Sequence, residues 1–312
     1  MIPNKKITLR RYRDEDDFWK IRSFLRETFL INHRRMINWH VARLDYWRGH
    51  LQANCNQGDP LDRSIYIWET DDQQIAAVLN DEERGQVYFQ VHPAYQSTAL
   101  EAEMIELAEQ KLALKRDEQQ VVAIWVNPND QLRIELLKKR GYSKGKWTES
   151  QWQRDLDLPI EKVSVPDGYT IRSLGDVDEI PARSWASWRG FHPGEPDEAY
   201  KGWEWYLNIQ RCPLYRRDLD IVAVAASGEI ASFCTMWFDD ATRSAYIEPV
   251  ATVPEHLRRG LARATITEGL LRLQQMGAVR ALVIGYEPGP NALYAATLSP
   301  IHEKSEQWQK KW

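Results

Sequence analysis

The chain runs through the same order of secondary-structure patterns twice, and this repetition constrains its fold more than any other feature. The strand pattern Ile7-Thr-Leu-Arg10 returns as Tyr169-Thr-Ile-Arg172, with Arg10 and Arg172 offset by 162 positions. Pro93 and Pro254 each follow a strand-like alternation and are offset by 161 positions. The apolar run Ala123–Val126 has its counterpart in Ala281–Ile284. Offsets this similar predict two copies of one unit of roughly 160 residues, an ordinary size for a domain. A polar linker around Asp157-Leu-Pro159, followed by Pro166, sets the boundary and gives domains 1–157 and 158–312.

In the first copy the patterns read as a strand at Ile7–Arg10, a helix at Asp14–Phe29 with an acidic first turn, and a second helix over Met36–Leu51. Three strands follow in succession at Ser64–Glu69, Gln74–Leu79 and Gln86–His92. A helix over Thr98–Lys115, the strand Val121–Val126 and a helix ending at Arg140 complete the copy. Helices alternating with strands, but with three strands in a row, predict an α/β chain of α+β character, with a mixed sheet flanked by helices.

Composition narrows the function classes. A net charge of −4 with 43% hydrophobic and 28% charged residues describes a soluble globular protein. It gives no electrostatic reason to bind nucleic acid or an anionic membrane. Cys55, Cys212 and Cys234 are scattered without metal-ligand spacing, so no metal is expected and a reducing cytoplasm is. No apolar stretch is long enough to span a bilayer.

The most informative stretch is Val250-Ala-Thr-Val-Pro254-Glu-His-Leu-Arg-Arg-Gly260-Leu-Ala262. Tyr246, Glu248, Val250 and Thr252 carry a two-residue period before it. Ala262, Ile266, Leu270 and Leu273 carry helical spacing after it, and Gly277 marks the helix end. A strand therefore enters a tight turn at Arg258, Arg259 and Gly260, and a helix starts there. Such a turn aims unpaired N–H groups and the positive helix end at one point, which suits a pyrophosphate. Glycine at 260 lets the backbone approach a ligand closely, and Ala262 keeps the next turn slim.

This strand–loop–helix resembles the acyl-coenzyme A motif of the GNAT superfamily of N-acetyltransferases, Arg/Gln-x-x-Gly-x-Gly/Ala. Gly260 and Ala262 match it, whereas Leu257 stands in the Arg/Gln slot. The resemblance implies two tandem GNAT-like domains, each a mixed, mostly antiparallel sheet flanked by helices. It implies acetyl-CoA as co-substrate and acetyl transfer to a primary amine of a small-molecule acceptor. It assigns the Val250 N–H to the thioester carbonyl and the main chain of Thr252 to the pantetheine arm. The pyrophosphate falls to the N–H groups of Leu257, Arg258, Arg259, Gly260, Leu261 and Ala262, with charge from the two arginines. Asn291-Ala-Leu-Tyr294 resembles the family's second cofactor motif, so Asn291 is expected near the cofactor and Tyr294 as the acid for the departing thiolate. Leu298-Ser299 stand where the family has Gly-Phe. Glu248 shares a strand face with Val250 and is the candidate base. Two other readings stand beside this one: a non-catalytic CoA-binding or regulatory module, and a protein lysine or N-terminal acetyltransferase.

The equivalent loop of the first copy places Gln96 in the Arg/Gln slot, Ala99 in the glycine slot and Glu101 in the small-residue slot. A carboxylate there would repel a pyrophosphate, so this copy is expected to keep the fold without binding cofactor. Between Ser184 and Tyr215, the residues Trp185, Trp188, Phe191, His192, Tyr200, Trp203, Trp205, Tyr206 and Tyr215 form an aromatic-rich stretch. It is expected to roof the acceptor site, with Trp203 and Tyr206 in the core.

Overall fold

A computed structural model describes residues 5–55 and 59–312. The chain forms two compact units. Met1–Ser150 with Glu303–Trp312 make the first, and Gln151–His302 make the second.

The first unit begins with β1 (Ile7–Arg11), α1 (Glu15–Ile31) and α2 (Val41–Tyr46). α2 runs on through a π-helical stretch, Trp47–Gln52, into α3 (Ala53–Cys55). After α4 (Leu61–Ser64) come β2 (Ile65–Thr70), β3 (Ile75–Glu83) and β4 (Gln86–Val91). α5 (Thr98–Lys111), β5 (Leu114–Arg116), β6 (Gln119–Val126), α6 (Gln131–Lys139) and β7 (Ser143–Asp155) follow, with β7 passing into the second unit at Gln151. The strand order is β1-β2-β3-β4-β6, and only β4 and β6 pair in parallel. Met104 and Ile105 of α5 and Leu137 of α6 fill one face of this sheet against Leu79, Val87 and Ile124.

The second unit contains β8 (Tyr169–Ser173), α7 (Ile180–Phe191), α8 (Tyr206–Gln210), β9 (Asp220–Ala225) and β10 (Ile230–Asp239). β11 (Ser244–Thr252), α9 (Leu261–Gln275), β12 (Arg280–Gly285) and α10 (Pro288–Thr297) complete it. Its strand order is β8-β9-β10-β11-β12, again with a single parallel pair, β11 and β12. Each unit is thus the mixed, mostly antiparallel sheet with flanking helices that the sequence predicted.

Equivalent residues make equivalent contacts. Arg10 forks onto Asp17 at 2.7 and 3.0 Å, and Arg172 forks onto Glu179 at 2.8 and 2.6 Å. Both arginines tie the opening strand to the start of the next helix, which is why the offset survives in the sequence.

Three boundaries differ from the sequence reading. The last strand, β13 (His302–Lys311), does not complete the second unit as the partition 1–157 and 158–312 had it. It pairs antiparallel with β6, from Glu306↔Val126 to Lys311↔Val121, and Trp308 enters the first unit's core. The helix read over Met36–Leu51 starts only at Val41, where the His40 ring accepts from the Ala42 N–H. The helix read to Lys115 stops at Lys111, and Leu114–Arg116 turn back as β5 beside β6.

Candidate active site

β11 is the strand on which the predicted site depends. It runs in regular register with β10 from Thr252↔Ser232 to Val250↔Cys234, and again from Ile247↔Met236 to Ser244↔Asp239. Between these two stretches Glu248 and Pro249 face the single residue Thr235, which is a β-bulge. The indole N–H of the fully buried Trp237 donates to the Glu248 carbonyl and holds the bulge. On its other side β11 pairs with β12 only over Ser244–Tyr246. Past Tyr246 the two parallel strands part.

The Val253 N–H bonds the Ala231 carbonyl at 2.9 Å, on the β10 side. Alternation along the strand then turns the main-chain N–H and C=O of Thr252, and those of Val250, toward the side that β12 has left. The main-chain groups of Val250 and Thr252 therefore point away from β10, on the side where β12 is no longer paired with β11.

The loop after β11 starts with a 3₁₀ turn, Pro254–His256, and passes through the exposed Leu257, Arg258 and Arg259. His256 secures the turn, with Nδ1 2.8 Å from the Tyr169 hydroxyl and Nε2 3.3 Å from Glu229. Arg258 and Gly260 have φ of +59° and +80°, so the chain twice enters the left-handed region before α9 starts at Leu261. Glycine at 260 thus has a conformational reason, while an added Cβ would meet nothing within 4 Å. No side chain caps α9. Its first N–H groups and its positive end are presented at the loop, with Leu261 buried as the anchor and Ala262 half-buried.

Glu248 and Tyr294, far apart in sequence, come within electrostatic reach of one another in the second unit. Tyr294 lies on α10 in the core that holds Cys234, Ile247 and Leu270. Burial, then the negative charge of Glu248, then Cys234 push its phenol well above the ordinary value. The hydroxyl is therefore kept protonated within electrostatic reach of the candidate base. Asn291, one turn earlier on α10, has its carboxamide oxygen committed to the Trp152 indole N–H at 2.7 Å. Leu298, in the slot where the family has Gly, is buried in the same core, and Arg154 Nη1 donates to its carbonyl at 2.7 Å.

On the α7 side of β10, the rings of Trp185, Trp188, His192 and Tyr200 form a chain with centroid separations of 5.1 to 5.7 Å. Ser184 fixes Tyr200 through a 2.8 Å hydroxyl pair. Tyr206 is fully buried, whereas Trp203 is half-buried and lies outside α8. Sequence reasoning missed the centre of this region, a buried Asp220 that accepts from Arg183 Nε at 2.9 Å, Thr235 at 3.1 Å and Tyr215 at 3.0 Å, and from Tyr206. The only sequence signal for it was Arg183, offset by 161 from the buried Arg22, which forks onto Asp45 instead.

The first unit has the same scaffold with its openings filled from within. The His92 N–H bonds Ala76 on the β3 side, so the main chain of Val91 faces away from β3, as that of Thr252 faces away from β10. There the Asn38 amide donates to the Val91 carbonyl and accepts from its N–H. At the next helix start, Ser97 caps α5. The buried Glu101 is bound by Arg133 at 2.8 and 3.0 Å and by Gln96 at 2.8 Å.

Among the described residues no helix is long and apolar enough to cross a membrane, and no group of three or more His, Cys, Asp or Glu is arranged to hold a metal ion. Residues 178–295 match the Acetyltransferase (GNAT) family, and no curated protein matches the chain significantly. A GCN5-related N-acetyltransferase from Sphaerobacter thermophilus is similar in fold, with a TM-score of 0.66 at 17% identity over 100% of this chain and 97% of that one. A tandem GNAT protein from the clavulanic acid biosynthesis pathway gives 0.63 at 12% identity over 98% of both chains. A GNAT-family acetyltransferase from Colwellia psychrerythraea gives 0.60 at 10% identity over 97% of this chain and 100% of that one. Identities this low speak for the fold, and the family match speaks for the second unit. The second unit thus carries the match to the acetyltransferase family, and the whole chain shares the fold of solved acetyltransferases, a tandem GNAT protein among them.

Proposed function

We propose that this protein transfers an acetyl group from acetyl-CoA to a primary amine of a small-molecule acceptor, directly in a ternary complex, using the second unit alone. The observation that carries this reading is the unpaired main-chain edge of Val250 and Thr252 leading straight into the uncapped start of α9. That arrangement fits an extended amide-bearing arm ending in a pyrophosphate. Acetyl-CoA supplies the activated thioester.

The residues divide the work as follows. The Val250 N–H polarises the thioester carbonyl, and the main chain of Thr252 pairs with the pantetheine arm. N–H groups from Leu257 to Ala262 hold the pyrophosphate, with Arg258 and Arg259 adding charge. An alkylammonium ion has a pKa of about 10.4 and must lose a proton before it attacks. Glu248, half-buried on β11, takes that proton directly or through a water. Tyr294 keeps its own proton and shares it with the departing thiolate. The ring chain of Trp185, Trp188, His192 and Tyr200 supports a small acceptor, because stacked aromatic faces suit a flat or cationic group. The first unit takes no cofactor in this reading, since Asn38 and Glu101 stand where a ligand would bind.

Calorimetric titration of the full chain with acetyl-CoA, followed by thiol release in the presence of a panel of small amines, tests the proposal. One site per chain and amine-dependent release are expected. Binding without release for any amine, free lysine and lysine peptides included, would favour a non-catalytic module. Release with peptides alone would move the acceptor to protein.

A further inference from the structure

We propose that Trp152 is the positioning residue for Tyr294, a task for which the family match assigns no residue; this rests on the acid role given to Tyr294 above. α10 is a ten-residue helix whose N-terminus has no side-chain cap. Its placement must therefore come from what it packs on. Trp152 and Arg154 lie two apart on β7 and so share a face of that strand.

They hold the helix at both ends. Trp152 Nε1 donates to Asn291 Oδ1 at 2.7 Å near the start, and Arg154 Nη1 donates to the Leu298 carbonyl at 2.7 Å just past the end. Tyr294 sits between these anchors, one turn from Asn291, in the same core as Trp152. The Trp152 ring is fixed in turn by stacking on His302, with centroids 4.1 Å apart and planes 29° apart. Gly285, at the end of β12, leaves the space these groups need. A Cβ there would collide with the Asn291 carboxamide and stand 3.2 Å from Cδ2 of Tyr294.

The Trp152–Asn291 bond thus fixes the rotation of α10 about its axis, and that rotation sets where the phenol points. During transfer a C–N bond forms, the C–S bond breaks, and the thiolate takes a share of the Tyr294 proton. A hydroxyl displaced by about 1 Å loses much of this assistance.

The test replaces Trp152 with β-(3-benzothienyl)alanine, which keeps the ring and deletes the N–H, and alongside it makes Trp152→Phe. In the isostere kcat is expected to fall about 10-fold while acetyl-CoA affinity stays within about 2-fold. In a Tyr294→Phe background the same replacement is expected to cost nothing further, because its effect runs through the hydroxyl. Unchanged kcat, or an equal loss in both backgrounds, overturns the proposal. Failure of the acetyltransferase reading looks different, since the unaltered protein would then release no thiol with any amine. In that case amide hydrogen exchange decides: lost protection confined to Pro288–Thr297 in the isostere supports the anchor, and unchanged protection overturns it.

Discussion

The side chain of Asn38 donates to the Val91 carbonyl at 3.0 Å and accepts from the Val91 N–H at 3.1 Å, so one amide completes a strand edge that no strand covers. Thr252, offset by 161 from Val91, presents the same main-chain groups to the gap beyond Tyr246, where β12 has left β11. One scaffold therefore appears in two forms, an edge closed by the protein itself and an edge left for something else. Asn38→Ala would leave both buried main-chain groups of Val91 without partners. At about 1–3 kcal/mol for each unsatisfied group, the first unit is expected to lose on the order of 2–6 kcal/mol, measured by urea unfolding. Calorimetry should still give one acetyl-CoA per chain, because Glu101 remains at the start of α5. A second site appearing in this variant would refute the assignment of the first unit as non-binding.

Gly260 separates the demands of the fold from those of the ligand. Its φ of +80° penalises any Cβ-bearing residue, yet the space around that Cβ is open. Gly260→Ala should therefore fold, with a loss of about 1–2 kcal/mol for the left-handed conformation, and should keep acetyl-CoA binding within about 10-fold. Gly260→Asp adds a carboxylate at the positive end of α9 and is expected to abolish binding at comparable stability. Equal affinities for the two variants would remove the loop from the cofactor site.

Asp81 gives the first unit a pH-dependent stability. Burial, reinforced by the charge of Asp59, pushes its carboxyl up to about 7, and Oδ1 has no hydrogen-bond partner. A raised folded-state value favours the protonated form, so the stabilising contribution is complete below about pH 4 and is lost as pH rises through 7. Asp81→Asn should therefore be more stable than the parent at pH 8 to 9, by up to a few kcal/mol. The gap should shrink through pH 7 and vanish near pH 4. Chemical unfolding at pH 4, 6 and 9 measures it, and a gap independent of pH would show that Asp81 does not titrate in the folded protein.

The repeat was legible because its marks are local. Arg10 with Asp17 and Arg172 with Glu179 are contacts seven residues apart, so sequence spacing alone exposes them. The loop from Val250 to Ala262 was legible for a similar reason, since a strand period, a turn glycine and a helix period follow one another without a break. What could not be read depends on pairing at long range. Residues 302–311 carry one apolar side chain, Trp308, and no two-residue alternation, so neither the strand β13 nor its neighbour shows in the sequence until the register with β6 is known. Asn38 falls in a run whose apolar spacing resembles a helix, and only the position of Val91 reveals its amide as a strand-edge mimic. Arg183 and Asp220 are single charges 37 positions apart, and nothing nearby in the sequence joins them.

The remaining prediction concerns how Glu248 and Tyr294 divide proton transfer. Burial and the Glu248 charge raise the Tyr294 phenol above its ordinary value, so it stays protonated through neutral and mildly alkaline pH. Tyr294 should therefore produce no alkaline fall in kcat below about pH 10. Tyr294→Phe is expected to lower kcat about 100-fold, as for loss of a general acid, leaving the shape of the profile unchanged up to that pH. Glu248→Gln removes the group that takes the amine's proton. Its rate should fall by a similar factor at neutral pH and recover as pH rises toward about 10, where the acceptor deprotonates unaided. The raised phenol also bears on stability. That contribution is complete below the unfolded value near pH 10 and is lost above it, so Tyr294→Phe should withstand strong alkali better than the parent. Paired pH–rate profiles for the two variants decide the roles, and an alkaline recovery in Tyr294→Phe rather than in Glu248→Gln would exchange them.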